Sequence, residues 1–130
     1  MKLNIEDHCL LHFFLSSKLN LEKYLGQNLK FVVYLVEDNL NFNQANYTNY
    51  YNGAATLVNF EHNNVLRKVV TNLFGDTIPQ EFMTTNGVFN KLFNIDIPVI
   101  INNMNALKLV AFVVDSSGKV INVQKANINT

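Results

Sequence analysis

"LKLVAFVVDSSGKVINVQKANI", residues 107–128, decides the fold class. Two apolar, β-branched runs flank Ser116, Ser117 and Gly118, and Gly118 supplies the positive φ that a tight hairpin turn requires. Beyond the turn, Val120, Asn122 and Gln124 alternate with Ile121, Val123 and Lys125, the period of two of a strand with one face toward a core. A chain that ends in such a hairpin needs further strands to cover its apolar face.

Those strands are legible upstream. "LKFVVYLVED", 29–38, combines Val32, Val33 and Val36 with two aromatics, too much β-branching for a comfortable helix. "CLLHFFLSS", 9–17, reads as another strand, and "GVFNKLFNIDI", 87–97, alternates until Pro98 ends or kinks it. "NVLRKVVTNLF", 64–74, carries a helical stripe in Val65, Leu66, Val69, Val70 and Leu73, yet Val69, Val70 and Thr71 disfavour helix. A strand followed by a turn at "FGDTIP" is expected there. "NLEKYLGQN", 20–28, suits one helical turn closed by Gly26 or a plain connection. Residues 39–56, polar and aromatic without a period, are expected to form a long loop carrying Tyr47, Tyr50 and Tyr51. The sum is an all-β chain: an antiparallel β-sandwich, immunoglobulin-like in architecture, with about seven strands. The paired cysteines and core tryptophan of an antibody domain are missing, since the chain has one cysteine and no tryptophan.

The 130 residues suit one domain with a core of its own. Ten basic and ten acidic side chains cancel, and no stretch concentrates Lys or Arg. The electrostatic attraction behind nucleic-acid or anionic-membrane binding is therefore missing, and neither is expected as a partner. Cys9 has no second cysteine to pair with. Glu6, Asp7 and His8 interrupt the N-terminal apolar stretch too early for a signal peptide, and no run approaches the ~20 apolar residues of a membrane span. Because strand-like pattern begins almost at residue 1, the chain reads as one domain of a longer protein. Asparagine, concentrated in "NLNFNQANYTNYYNG", is expected at strand ends and turns.

Few residues invite chemistry. His8, Cys9 and His12 have the composition of a zinc group, but on a strand His8 and His12 share one face, Cys9 takes the other, and no fourth ligand is evident. No metal or other cofactor is expected. Glu37 and Asp38 close a strand; adjacent residues point to opposite sides, so strand-end capping suits them better than acid–base work. His62 with Glu61 or Asp76 could act as a base, but Ser16, Ser17, Ser116 and Ser117 lie in strand-end or turn contexts with no nucleophile-elbow pattern, and no phosphate-binding loop occurs. His62 and Asn63 are instead expected to fasten a turn, with Arg67 pairing across strands to Glu37 or Asp38. The alternative is a metal-dependent or His-assisted hydrolase using His62 with Glu37, Asp38 or Asp76.

Taken together, "VYLVEDN" (33–39), Gln44, "HNNVLRKVVTNLFGDTIP" (62–79) and the final hairpin resemble the C-terminal domain of the outer membrane protein 28 family, bacterial cell-envelope lipoproteins and secreted relatives. The resemblance runs from about residue 3 to 128 and carries over to Glu37, Asp38, Asn39, Gln44, His62, Asn63, Val65, Leu66, Arg67, Gly75 and Asp76. Asn64 stands where relatives commonly carry a second histidine, which argues against a role needing two imidazoles. The resemblance implies a β-sandwich module following a thioredoxin-like domain in full-length relatives, located in the cell envelope or secreted. It implies no reaction, and it suggests an adhesion or receptor-like role with a protein or glycan partner, for which Tyr47, Tyr50 and Tyr51 would supply the surface.

Overall fold

The computed structural model describes residues 2–5, 8–15, 21–84 and 89–128, with the backbone alone for 2–5, 8–15 and 90–94. Ten strands run in the order β1 (Lys2–Ile5), β2 (His8–Leu15), β3 (Lys30–Glu37), β4 (Leu40–Ala45), β5 (Thr56–His62), β6 (Val65–Val69), β7 (Asp76–Thr77), β8 (Phe89–Asp96), β9 (Leu107–Val114) and β10 (Val120–Asn127). Every pairing between them is antiparallel. One sheet has the order β1-β2-β8, and a second runs β10-β9-β3-β6 with β7 also on β3. A two-stranded arm, β4-β5, makes up the rest.

The two larger sheets form the sandwich. Residues of β3 and β9 facing inward, such as Phe31, Leu35, Leu109 and Val113, share one buried cluster with Phe89 and Ile95 of the facing sheet. The Phe31 and Phe89 rings meet at 5.2 Å. β3 is flanked by strands on both edges and buried on nearly every residue, which is why it reads as a continuous apolar run rather than an alternation. β9 shows strict alternation, with Leu107, Leu109, Ala111 and Val113 inward. The helical turn expected near residue 22 is a 3₁₀ turn, Leu21–Tyr24, followed by Gly26 at φ 83°.

Three expectations need correction. Among the described residues the strand count is ten rather than about seven, because β7 and the two strands of the arm were not anticipated. Residues 39–56 are not one loop: "LNFNQA" is a strand, and β4 pairs with β5 from Leu40↔His62 to Ala45↔Thr56 with a register shift between Phe42 and Gln44. Asparagine is depleted in strands; it is tolerated here because β4 is exposed after Leu40. In β10 a β-bulge between Val120 and Asn122 shifts the alternation. Ile121 still packs on the core, but Val123, placed with it by simple alternation, is exposed.

Candidate functional site

The polar centre of the molecule forms where β3 ends. Glu37 is its innermost member, with 0% of its side chain exposed. β6 carries a bulge opposite Leu35 and Val36, so Val36 faces Leu66, Leu35 faces Lys68, and Arg67 is the extra residue. Bulges re-aim side chains, and Arg67 Nε donates to Glu37 Oε2 at 2.8 Å. The other oxygen, Oε1, accepts from the backbone N–H groups of Asn102 and Asn103, each at 2.8 Å. Arg67 therefore meets Glu37 through one recorded bond rather than a two-pronged fork. Burial pushes the Glu37 carboxyl up, but the Asn103 N–H, Arg67 and the Asn102 N–H together outweigh it and hold its pKa below the usual value.

Asp38 serves a different set of groups. Its Oδ2 accepts from Lys108 Nζ at 2.9 Å and its Oδ1 from the Asn64 N–H at 2.7 Å. The Lys108 bond, then the Asn64 N–H, hold its pKa down against burial. Asn63 ties the other side of the junction: its Oδ1 accepts from the Asn39 N–H at 3.0 Å, and its Nδ2 donates to Glu61 Oε1 at 3.2 Å. Asn39 and Asn64 have φ near +60°, at 59° and 55°, a region Asn enters more readily than most residues. The adjacent acids thus form a clamp at the strand end: Glu37 ties β3 to β6 and to the 102–103 backbone, while Asp38, through Asn64 and Lys108, holds the base of the β4-β5 arm to the sandwich.

Beyond the clamp, the arm presents aromatic rings. His62, paired with Leu40, lies 5.3 Å from the Phe60 ring and 6.4 Å from Phe42, and Tyr51 meets Phe60 edge-on at 6.4 Å. Tyr47, Tyr50 and Tyr51 at the tip are 96%, 76% and 60% exposed. Their loop is ordered by Asn46, whose Nδ2 donates to the carbonyls of Tyr50 (3.0 Å) and Ala54 (2.8 Å) while its Oδ1 accepts from the Thr48 N–H and hydroxyl. Asn46 was not among the expected site residues, although "NYT" is a legible Asx-turn signal. Lys108, in sequence one polar position of a strand, was not among them either. Gln44, exposed on β4, donates to the Ala45 carbonyl at 3.0 Å.

Asp76 belongs elsewhere. Its Oδ1 accepts from the Asn72 N–H (3.1 Å) and Nδ2 (2.6 Å), closing a turn in which Gly75 takes φ 95°. It pairs with Phe31, six residues along β3 from Glu37 and so about 20 Å away at a strand rise of ~3.3 Å. The hydrolase alternative thus finds Asp76 at the opposite end of β3, and Glu37 and Asp38 engaged by bases and backbone amides. Among the described residues no group of three His, Cys, Asp or Glu is arranged to hold a metal ion. The side chains of His8, Cys9 and His12 lie outside the described residues. No helix of the described residues is long and apolar enough to cross a membrane.

Comparisons with known proteins agree with this architecture. The model of the family "Outer membrane protein Omp28" matches residues 15–130. Among solved structures, HBP35 of Porphyromonas gingivalis superposes with a TM-score of 0.67 at 19% identity, over 98% of this chain and 39% of that one. At that identity the likeness establishes the shared fold, and this chain spans 39% of that protein's length. No curated protein matches. The family match takes in the clamp, the arm and the final hairpin alike, and the chain belongs to the Omp28 family of outer membrane proteins.

Proposed function

We propose that this chain is a non-catalytic binding module of a bacterial envelope-associated or secreted protein, working through its projecting arm in an adhesive or receptor-like role. The observation that carries this reading is the tip itself: three tyrosines stand largely in solvent on a loop fixed by Asn46. Tyrosine gives large contact area with few rotatable bonds, so a fixed tyrosine tip loses little entropy on binding. From Asn39 to Phe60 the sequence contains no charged side chain, which suits a neutral glycan or a polar protein surface. Glu37, Asp38, Asn63 and Arg67 act here as the mounting of the arm. A thioredoxin-like domain in the same protein fits the length of the solved relative, most of which lies outside the region this chain matches.

Arrays of neutral glycans and extracellular-matrix proteins, probed with the folded chain and with a Tyr47→Ser/Tyr50→Ser/Tyr51→Ser variant, test the reading. Retention of the wild type on at least one ligand class, lost in the variant, supports it. Absence of retention on both arrays, or equal retention of the two proteins, rejects it.

A further inference from the structure

The outer face of the larger sheet, on the side of β3 and β9 away from the core, carries a cavity of about 370 Å³ that the arm does not touch. Its floor is Val32, Tyr34 and Phe112, the last two rings in edge contact at 5.3 Å. One wall is the turn closed by Asn72 and Asp76, which presents Leu73 and Phe74 to the cavity although they are 61% and 80% exposed. Large apolar side chains on a tightly bonded turn contribute little to the core they face away from. The turn also sits hard against the sheet: a Cβ on Gly75 would come within 3.0 Å of Lys30 Cβ, the Phe31 carbonyl and Val32 Cγ2. The wall is thus pinned beside the floor.

The charges at the mouth are unequal in their commitments. Asp115 Oδ1 already accepts from the Ser117 N–H and hydroxyl and from the Lys119 N–H, which fixes the carboxylate, still negatively charged, in the β9-β10 turn. Lys30, half-buried in the lining, has no side-chain hydrogen bond or ion pair among the described residues. An aromatic-aliphatic recess in the size range of small-molecule sites, with one uncommitted cation at its edge, fits one kind of occupant. We propose that this cavity binds a small amphiphile with an apolar body and a single anionic group, the body lying between Phe74 and the Tyr34–Phe112 pair and the anion on Lys30 Nζ. The site is separate from the arm and stands whether or not the arm binds anything.

Decanoate is a suitable probe, with decylamine and decanol as charge controls, followed by amide chemical shifts of the isotope-labelled chain below the micelle concentration. Saturable decanoate shifts confined to residues 28–34, 72–75 and 110–118, together with weaker binding of decylamine, are expected. Lys30→Gln should weaken decanoate about fivefold and leave decanol unchanged, the scale of one solvent-accessible ion pair. Phe74→Ser should weaken both, and since Phe74 is exposed, the variant's dispersed spectrum serves as the folding control. The assignment is overturned if decanoate gives no saturable shifts, if decylamine binds equally well, or if neither substitution changes the affinity.

Discussion

Replacing Arg67 by alanine tests the clamp at its buried end. The substitution removes the donor to Oε2 of a carboxylate that is fully shielded from solvent, while the Asn102 and Asn103 amides keep their hold on Oε1. Removing one partner of a buried ion pair costs about 3–5 kcal/mol. The surviving amide bonds and the 14% exposure of Arg67, which admits some water, place this case near the lower bound, at about 3 kcal/mol. With an unfolding entropy of ~2.1 cal/mol/K per residue, 130 residues give roughly 0.27 kcal/mol/K, so the melting temperature should fall by about 11 °C. Acid supplies a second readout. Glu37 has a folded pKa below its ordinary 4.5, so its contribution to stability is complete above that value and is lost as the pH falls through the lowered folded pKa. Arg67→Ala forfeits part of that contribution, so its deficit should be largest at neutral pH and shrink below about pH 4.5. Calorimetric or circular-dichroism melts at about pH 7 and pH 3 measure both effects. A variant that melts within ~2 °C of wild type at neutral pH, or shows the same deficit at both pH values, refutes the reasoning.

Other perturbations separate mounting from contact surface. Gly75→Ala puts a Cβ at φ 95° and within 3.0 Å of β3 backbone and side-chain atoms, and should cost about 1–3 kcal/mol in denaturant titrations. Asn63→Ala deletes the bonds to Asn39 and Glu61 at the base of the arm; a loss of about 1 kcal/mol is expected, with faster proteolytic nicking of 39–64 as its local signature. Tyr47→Ser and Tyr50→Ser, at largely exposed positions, should shift stability by no more than ~0.5 kcal/mol in thermal melts.

The sandwich was legible because its central strands carry their own signal. β3 is apolar on both faces and β9 alternates, and each pattern follows directly from how many sides of the strand are covered. The arm was not legible, because neighbouring layers do not select its residues: β4 is exposed from Asn41 onward, so no inward hydrophobic face marks it. The bulge in β10 escaped for a related reason. A one-residue shift leaves composition unchanged and moves only the faces, which sends Val123 to solvent. At the clamp, complementary charge made the Arg67–Glu37 pair readable. The two amides on Oε1 come from backbone 65 and 66 residues downstream, and backbone donors leave no trace in residue identity.

The placement of β3 also governs the order in which the chain can assemble. β3 pairs along its whole length with β9, from Lys30↔Val114 to Glu37↔Leu107, contacts spanning 84 and 70 residues, whereas β4 and β5 close within 11 to 22 residues. Local hairpins form in microseconds, while long-range closure is slow. As the chain emerges from the ribosome, the arm is able to zip early. This heavily buried strand meanwhile waits with one edge open until residues 107–114 have been made. For that interval Phe31, Val33 and Leu35 form a sticky, unpaired segment, and holding it apart from other nascent chains is a task for the cell's chaperones.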